Sequence, residues 1–64
     1  MANNVIYIQK RNSRFWVWMG DGNETEHMPA KSDAKFYYRI DAIMYAHEWR
    51  KRAYVTEMCE LSDL

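Results

Sequence analysis

The run Phe36 to Arg52, FYYRIDAIMYAHEWRKR, is the stretch that most constrains this chain. From Arg39 to Ala53 it holds no Gly or Pro, and most of its residues are fair to good helix formers. At about 100° per residue, Ala42, Ile43, Ala46, Trp49 and Ala53 gather on one arc. Two small alanines in that arc let a helix axis sit close to a sheet, with Ile43 and Trp49 filling the flanks. Asp41 near the start and Arg50, Lys51 and Arg52 in the last turn both suit the helix dipole. Ile40 and Met44 point to a second side, which His47 and Lys51 continue, and Tyr45 flanks the opposite edge. The helix is therefore more apolar than a small sheet can cover. Core spill-over beneath a loop and a partner face both account for that surplus.

The rest of the chain reads as strands arranged to receive this helix. Val5–Arg11 and Phe15–Met19 are β-branched and aromatic, and the polar Arg-Asn-Ser-Arg between them reads as a hairpin turn. With Asn12 and Ser13 as the loop residues, Arg11 faces Arg14, Ile8 faces Val17 and Ile6 faces Met19. That register puts Ile6, Ile8, Phe15, Val17 and Met19 on one face, and Tyr7, Gln9, Trp16 and Trp18 on the other. The first face suits the helix; the second has nothing obvious to cover it and is either open or covered by the 20–35 loop, which carries Met28 and Pro29. Gly20 to Asn23 is a turn signal, Glu24 to Met28 extends the strand or wanders as loop, and Pro29 to Asp33 is a second break. Ser32 or Asp33 is placed to cap a short turn through Phe36. Tyr54 to Leu61 alternates as a third strand with Tyr54, Thr56 and Met58 inward, since the opposite choice buries Glu57; Ser62 to Leu64 is a tail. The expected fold is α+β: a three-stranded antiparallel or mixed sheet with one helix on one face, in the order β-β-α-β, as a single domain over residues 1–64. A right-handed crossover leaves the third strand parallel to the second. Beside the first strand it gives the sheet order 2-1-3, with the most hydrophobic strand central.

This layout resembles the small ββαβ proteins common in phage and prophage genomes. The matching pieces are Phe15-Trp16, Asp21-Gly22, Ala34-Lys35-Phe36, Asp41-Ala42, Ala46 and Tyr54-Val55. Tyr38 stands where those proteins usually place a Ser or Thr cap. The resemblance implies a binder or inhibitor of host machinery and transfers no site residue.

A chain of 64 residues has a thin core and needs tight packing, a staple or a partner. A single cysteine, Cys59, excludes an internal disulfide. The formal net charge of zero weakens the case for a dedicated nucleic-acid or membrane-surface binder. The start, MANNVIYIQKR, lacks the basic opening and apolar core of a signal peptide, and no apolar run approaches the ~20 residues of a membrane span. The expected location is the cytoplasm, that of the host if the chain is phage-encoded, with no membrane partner.

Catalytic chemistry finds little footing. His27, His47 and Cys59 are scattered, and His47-Glu48 lacks the second histidine of a zinc helix. Glu24-Thr25-Glu26-His27 reads as solvated surface. A Cys59–His47 nucleophile pair is outweighed by a small structural cysteine. Glu57 with Glu60, or Asp21 with Glu24, has no implied pocket, and a chain this short hardly encloses a cavity of ~300 Å³. We expect no enzyme, no metal and no cofactor.

Two readings remain. The first is a protein-binding module, an inhibitor or regulator of a host protein, using Tyr7, Trp16 and Trp18 on the sheet and Ile40, Met44 and Tyr45 on the helix. A second copy of the chain, as a homodimer, is one candidate partner. The second reading is single-stranded nucleic-acid binding, with the sheet aromatics as a stacking platform rimmed by Lys10, Arg11 and Arg14, and with Arg50, Lys51 and Arg52 as a second basic cluster. Nine acidic residues against nine basic ones, with acidic stretches at Asp21–Glu26 and Glu57–Asp63, rank it below the first.

Overall fold

The computed structural model describes residues 5–20, 34–53 and 57–63. Their elements are β1 (Val5–Arg11), β2 (Arg14–Gly20), β3 (Ala34–Phe36), α1 (Arg39–Ala53) and β4 (Glu57–Glu60). The fold is α+β, with a mixed sheet in the order β3-β2-β1-β4 and α1 packed on one face.

β1 and β2 pair antiparallel in the anticipated register, Ile6 to Met19, Ile8 to Val17 and Arg11 to Arg14. The turn between them explains how that register is held. Asn12 and Ser13 have φ of 53° and 62°, a left-handed pair whose twist matches that of the flanking strands. Asn tolerates this region through its short polar side chain, whereas Ser lies in it at a steric cost. The Trp16 indole Nε1 donates to the Arg11 carbonyl at 3.0 Å, adding a side-chain tie beside the turn.

The sheet has four strands among the described residues rather than three. The added one, β3, pairs antiparallel with β2, Phe15 opposite Phe36 and Val17 opposite Ala34. The turn expected to run through Phe36 is thus replaced, at Ala34–Phe36, by an edge strand that sends Ala34 and Phe36 to the core. Phe36 consequently belongs to the sheet, and the helix begins only at Arg39. β3 also corrects the expected direction of the last strand. The helical crossover leaves from β3, not β2, and β3 runs antiparallel to β2. β4 lies beside β1 as anticipated but parallel to it, and so antiparallel to β2.

The core under the helix is Ile6, Ile8, Val17, Ala42 and Ala46, with Phe15, Met19, Ala34, Phe36, Ile43, Trp49 and Met58 packed around it. Ala42 and Ala46 are fully buried, so the seam between helix and sheet is two alanines wide. Met58 points inward as expected; Tyr54 and Thr56, and the side chain of Ala53, lie outside the described residues. Tyr38 caps α1 through its carbonyl, which accepts from Asp41 N at 3.2 Å and Ala42 N at 3.3 Å. The tail is tied down as far as Ser62: Leu61 N donates to the Ile8 carbonyl at 2.8 Å, and the buried Gln9 side chain donates from Nε2 to the Ser62 carbonyl at 3.0 Å.

Two stability measurements test this account. Ser13→Gly relieves the left-handed strain and raises the unfolding free energy by about 0.5–1 kcal/mol in urea melts, with an unchanged m-value. Ala46→Leu keeps helix propensity almost unchanged but forces the seam apart, so it lowers stability by about 1–3 kcal/mol in the same assay.

Candidate functional site

The second sheet face is closed at its centre. Tyr7 and Trp18 are 2% and 4% exposed, and their rings stack at 5.4 Å between centroids, with Val5, Trp16 and Leu61 against them. Of the two alternatives, an open aromatic platform and a covered face, the second describes Tyr7 and Trp18. Tyr7 and Trp18 are withdrawn from solvent as a second core, and only Trp16 of the three remains half-exposed. Loop cover from 21–33 lies outside the described residues.

The helix, by contrast, leaves its anticipated surplus in solvent. Ile40 and Met44 are 61% and 62% exposed and lie one turn apart on the side away from the sheet. Tyr37 and Tyr38, just before α1, are more exposed still, at 69% and 70%. Reading them as part of a helical run concealed this pair. In fact they form the bend between β3 and α1, where the backbone turns from sheet to helix and neither core reaches them. Tyr45 sits on the opposite flank, its ring 5.3 Å from Phe36 and 5.8 Å from Trp49. With Glu48 and Arg52, Tyr45 and Trp49 line a shallow notch of about 50 Å³, too small for more than one side chain or a water or two.

The basic residues divide between two ends of the molecule. β3 stops beside the hairpin turn, so α1 starts there, and β4 begins opposite Val5, so α1 finishes at the other end. Lys10, Arg11 and Arg14 therefore lie at the hairpin end, and Arg50, Lys51 and Arg52 at the far one. At the hairpin end cations lie over rings: Arg14 3.8 Å above Tyr37, Lys35 5.4 Å from Trp16 and Lys10 5.7 Å from Phe15. Lys35, which sequence reading passed over, completes this group because β3 sets it opposite Trp16. Lys10 pairs with Phe15 on the helix side, so it does not rim the same face as Arg11 and Arg14. At the far end Lys51 Nζ is 4.0 Å from a Glu48 carboxylate oxygen.

No pair of nucleophile and base is assembled among these residues. Register sets Cys59 on the Tyr7 face of the sheet, whereas His47 is on the exposed side of the helix. Glu57 and Glu60 fall on opposite sheet faces, and Glu60 is engaged elsewhere. Arg39 donates to it twice, Nε to Oε2 at 2.8 Å and Nη2 to Oε1 at 2.7 Å, tying the start of α1 to β4. Among the described residues no three His, Cys, Asp or Glu side chains are grouped as metal ligands would be. Asp21, Glu24, Glu26 and His27 lie outside them. No helix among the described residues is long and apolar enough to cross a membrane. Comparison with protein-family models, curated proteins and solved structures gives no match.

The hydrogen bonds from Arg39 hold the Glu60 carboxyl below its ordinary value, a shift that desolvation partly opposes and the guanidinium charge supports. A carboxylate depressed on folding stabilises above its unfolded pKa, and the contribution fades as pH falls through the folded value. Wild type is accordingly more stable than Glu60→Gln at neutral pH, by an amount that shrinks with added salt, and the two converge in acid. Urea midpoints measured across the acid limb read this out, and a difference that persists at the lowest pH overturns the assignment.

Proposed function

We propose that this chain is a small protein-binding module whose docking surface is the start of α1 and the bend before it. The observation that carries the reading is four large side chains, Tyr37, Tyr38, Ile40 and Met44, each more than 60% exposed within eight residues of chain. Tyr and Met are over-represented where partners dock, and Ile40 and Met44 adjoin on one side of α1, while Tyr37 lies under Arg14 at the hairpin end. Burial of Tyr7 and Trp18 moves the docking role off the sheet centre, leaving Trp16 at its margin and Tyr45 on the helix flank. Rigid support comes from the paired Arg39 and Glu60 and from the alanine seam, so binding costs little ordering. The module is non-catalytic in this reading. It acts by occluding a surface of a host protein, as an inhibitor or regulator of the kind phages and mobile elements encode, in the host cytoplasm.

A second reading draws on a separate observation, the cluster of Arg14, Lys35, Tyr37 and Trp16 at the hairpin end. Basic and aromatic side chains interleaved in this way suit single-stranded nucleic acid. It ranks second because two of the three expected stacking rings are buried and the basic clusters stand at opposite ends of the fold.

Matched affinity baits separate the two. A protein retained by the wild type is lost by Ile40→Glu/Met44→Glu, with affinity down about 30-fold or more, and is kept by Arg14→Ala/Lys35→Ala. Nuclease-sensitive material lost with the second variant and kept by the first assigns the cluster to nucleic acid instead. Identical capture by all three baits overturns both readings.

A further inference from the structure

We infer that the hairpin end of the second sheet face holds a single purine nucleotide unit, its base on Trp16 and its phosphate between Arg14 and Lys35; this rests on the reading of that cluster as a nucleic-acid contact and limits it to one unit. Register puts the three residues on one face. Lys35 on β3 stands opposite Trp16 on β2, and Arg14 lies two residues before Trp16, about 7 Å along the strand. The indole is a prepared platform. Its Nε1 donates to the Arg11 carbonyl at 3.0 Å and it packs against the second core, so the ring is fixed while still half-exposed. What lies over it is a cation, Lys35 Nζ, 5.4 Å from the ring centroid. The Arg14 guanidinium sits 3.8 Å above Tyr37 and donates from Nη1 to the Ser13 carbonyl at 3.2 Å.

Charge and shape select the ligand. Among the described residues no carboxylate pairs with Arg14 or Lys35, and none shares this end of the face. Glu57 is on the same face but pairs with Val5 at the opposite end, Glu60 is on the helix side and held by Arg39, and Asp41 and Glu48 belong to α1. Asp63 follows Ser62, which Gln9 holds on the β4 side of β1, away from β3. A terminal phosphate carries charge for two cations and accepts from a guanidinium fork and an ammonium alike. Stacking of a base on an aromatic ring outweighs an exposed cation over the same ring, so a nucleotide gains by taking the indole and drawing Lys35 onto its phosphate. A bicyclic purine covers the indole more fully than a phenol ring does, which favours a nucleotide over a phosphorylated tyrosine.

The platform ends after one unit. Trp18, the next ring on this face of β2, is 4% exposed and stacked on Tyr7, and in the other direction the strand stops at the Asn12–Ser13 turn. Arg50, Lys51 and Arg52 stand at the far end of the fold, so no basic track leads a strand onward. One stack and two exposed ionic contacts set a dissociation constant of about 0.1–1 mM at low salt. A free nucleotide and the phosphorylated end of a strand share this chemistry.

Nuclear magnetic resonance titration of the full chain with adenosine 5′-monophosphate tests the proposal. The Trp16 indole N–H resonance moves and that of Trp49, on the helix, stays. Adenosine and inorganic phosphate each bind about tenfold or more weakly than the nucleotide, and Arg14→Gln and Lys35→Gln each weaken it about fivefold or more. A 5′-phosphorylated oligoadenylate of about twelve residues binds within about tenfold of the mononucleotide. Within that range, a tighter mononucleotide names the free nucleotide as ligand and a tighter oligonucleotide names the strand end. An oligonucleotide more than about tenfold tighter, with or without its 5′-phosphate, overturns the single-unit site and leaves the nucleic-acid reading standing. Phosphotyrosine amide binding tighter than the nucleotide overturns both in favour of a phosphopeptide. If neither nucleotide nor oligonucleotide moves the Trp16 resonance, or the two glutamine variants bind as wild type does, both fall.

Discussion

Withdrawal of β1 from solvent on both faces is the constraint from which the rest of this structure follows. Val5–Gln9 are buried at every position, so one strand serves two cores. Its even-numbered residues meet the helix, and its odd-numbered ones meet the Tyr7–Trp18 stack. A strand buried on both faces belongs at the centre of a sheet, and β1 is flanked by β2 on one side and β4 on the other. The buried Gln9 is compatible with this only because its amide finds the Ser62 carbonyl. That bond and the one from Leu61 N to the Ile8 carbonyl together hold the chain beyond β4, where Leu61 packs against the second core.

The division of apolar side chains between two cores explains what the helix must do. With Ile6, Ile8 and Val17 presenting a flat aliphatic surface, the helix needs closeness rather than bulk, and Ala42 and Ala46 supply it. A seam that narrow engages a small part of the helix circumference. Ile43 and Trp49 close its edges, Tyr45 joins the Phe36 and Trp49 rings at one flank, and Ile40 and Met44 are left facing away. Their exposure follows from how close the alanines bring the two layers.

The legible parts of the fold were those written in side-chain period. The hairpin register was fully readable, since a slip of one residue would carry Ile6, Ile8 and Val17 to the wrong face. The alanine arc of α1, the central place of β1 and the outward aim of Ile40 and Met44 were readable for the same reason. β3 was not: Ala34-Lys35-Phe36 is too short to show alternation, and it follows a Pro and polar residues that signal a break. Missing it misplaced the helix start, hid Tyr37 and Tyr38, and reversed β4 relative to β2. The closure over Tyr7 and Trp18 was legible only as one of two alternatives. Alternation tells which residues share a face, but not whether anything lies on that face.

β3 has a consequence for recognition as well as for topology. By starting the crossover at the sheet edge beside the hairpin, it sets the bend at Tyr37 against Arg14 and sends the helix toward the opposite end of the sheet. One end of the molecule then gathers rings and cations, the other ends in the basic last turn of α1, and the apolar side chains lie between them along the helix. A cation held over a ring at 3.8 Å is worth only about 0.5–1 kcal/mol at an exposed site, so Arg14 can exchange Tyr37 for another partner at little loss. Ile40 and Met44 gain only by being covered. In the proposed binding role the asymmetry between the two surfaces would be one of driving force: charge and rings at the hairpin end, and burial of apolar side chains on the helix.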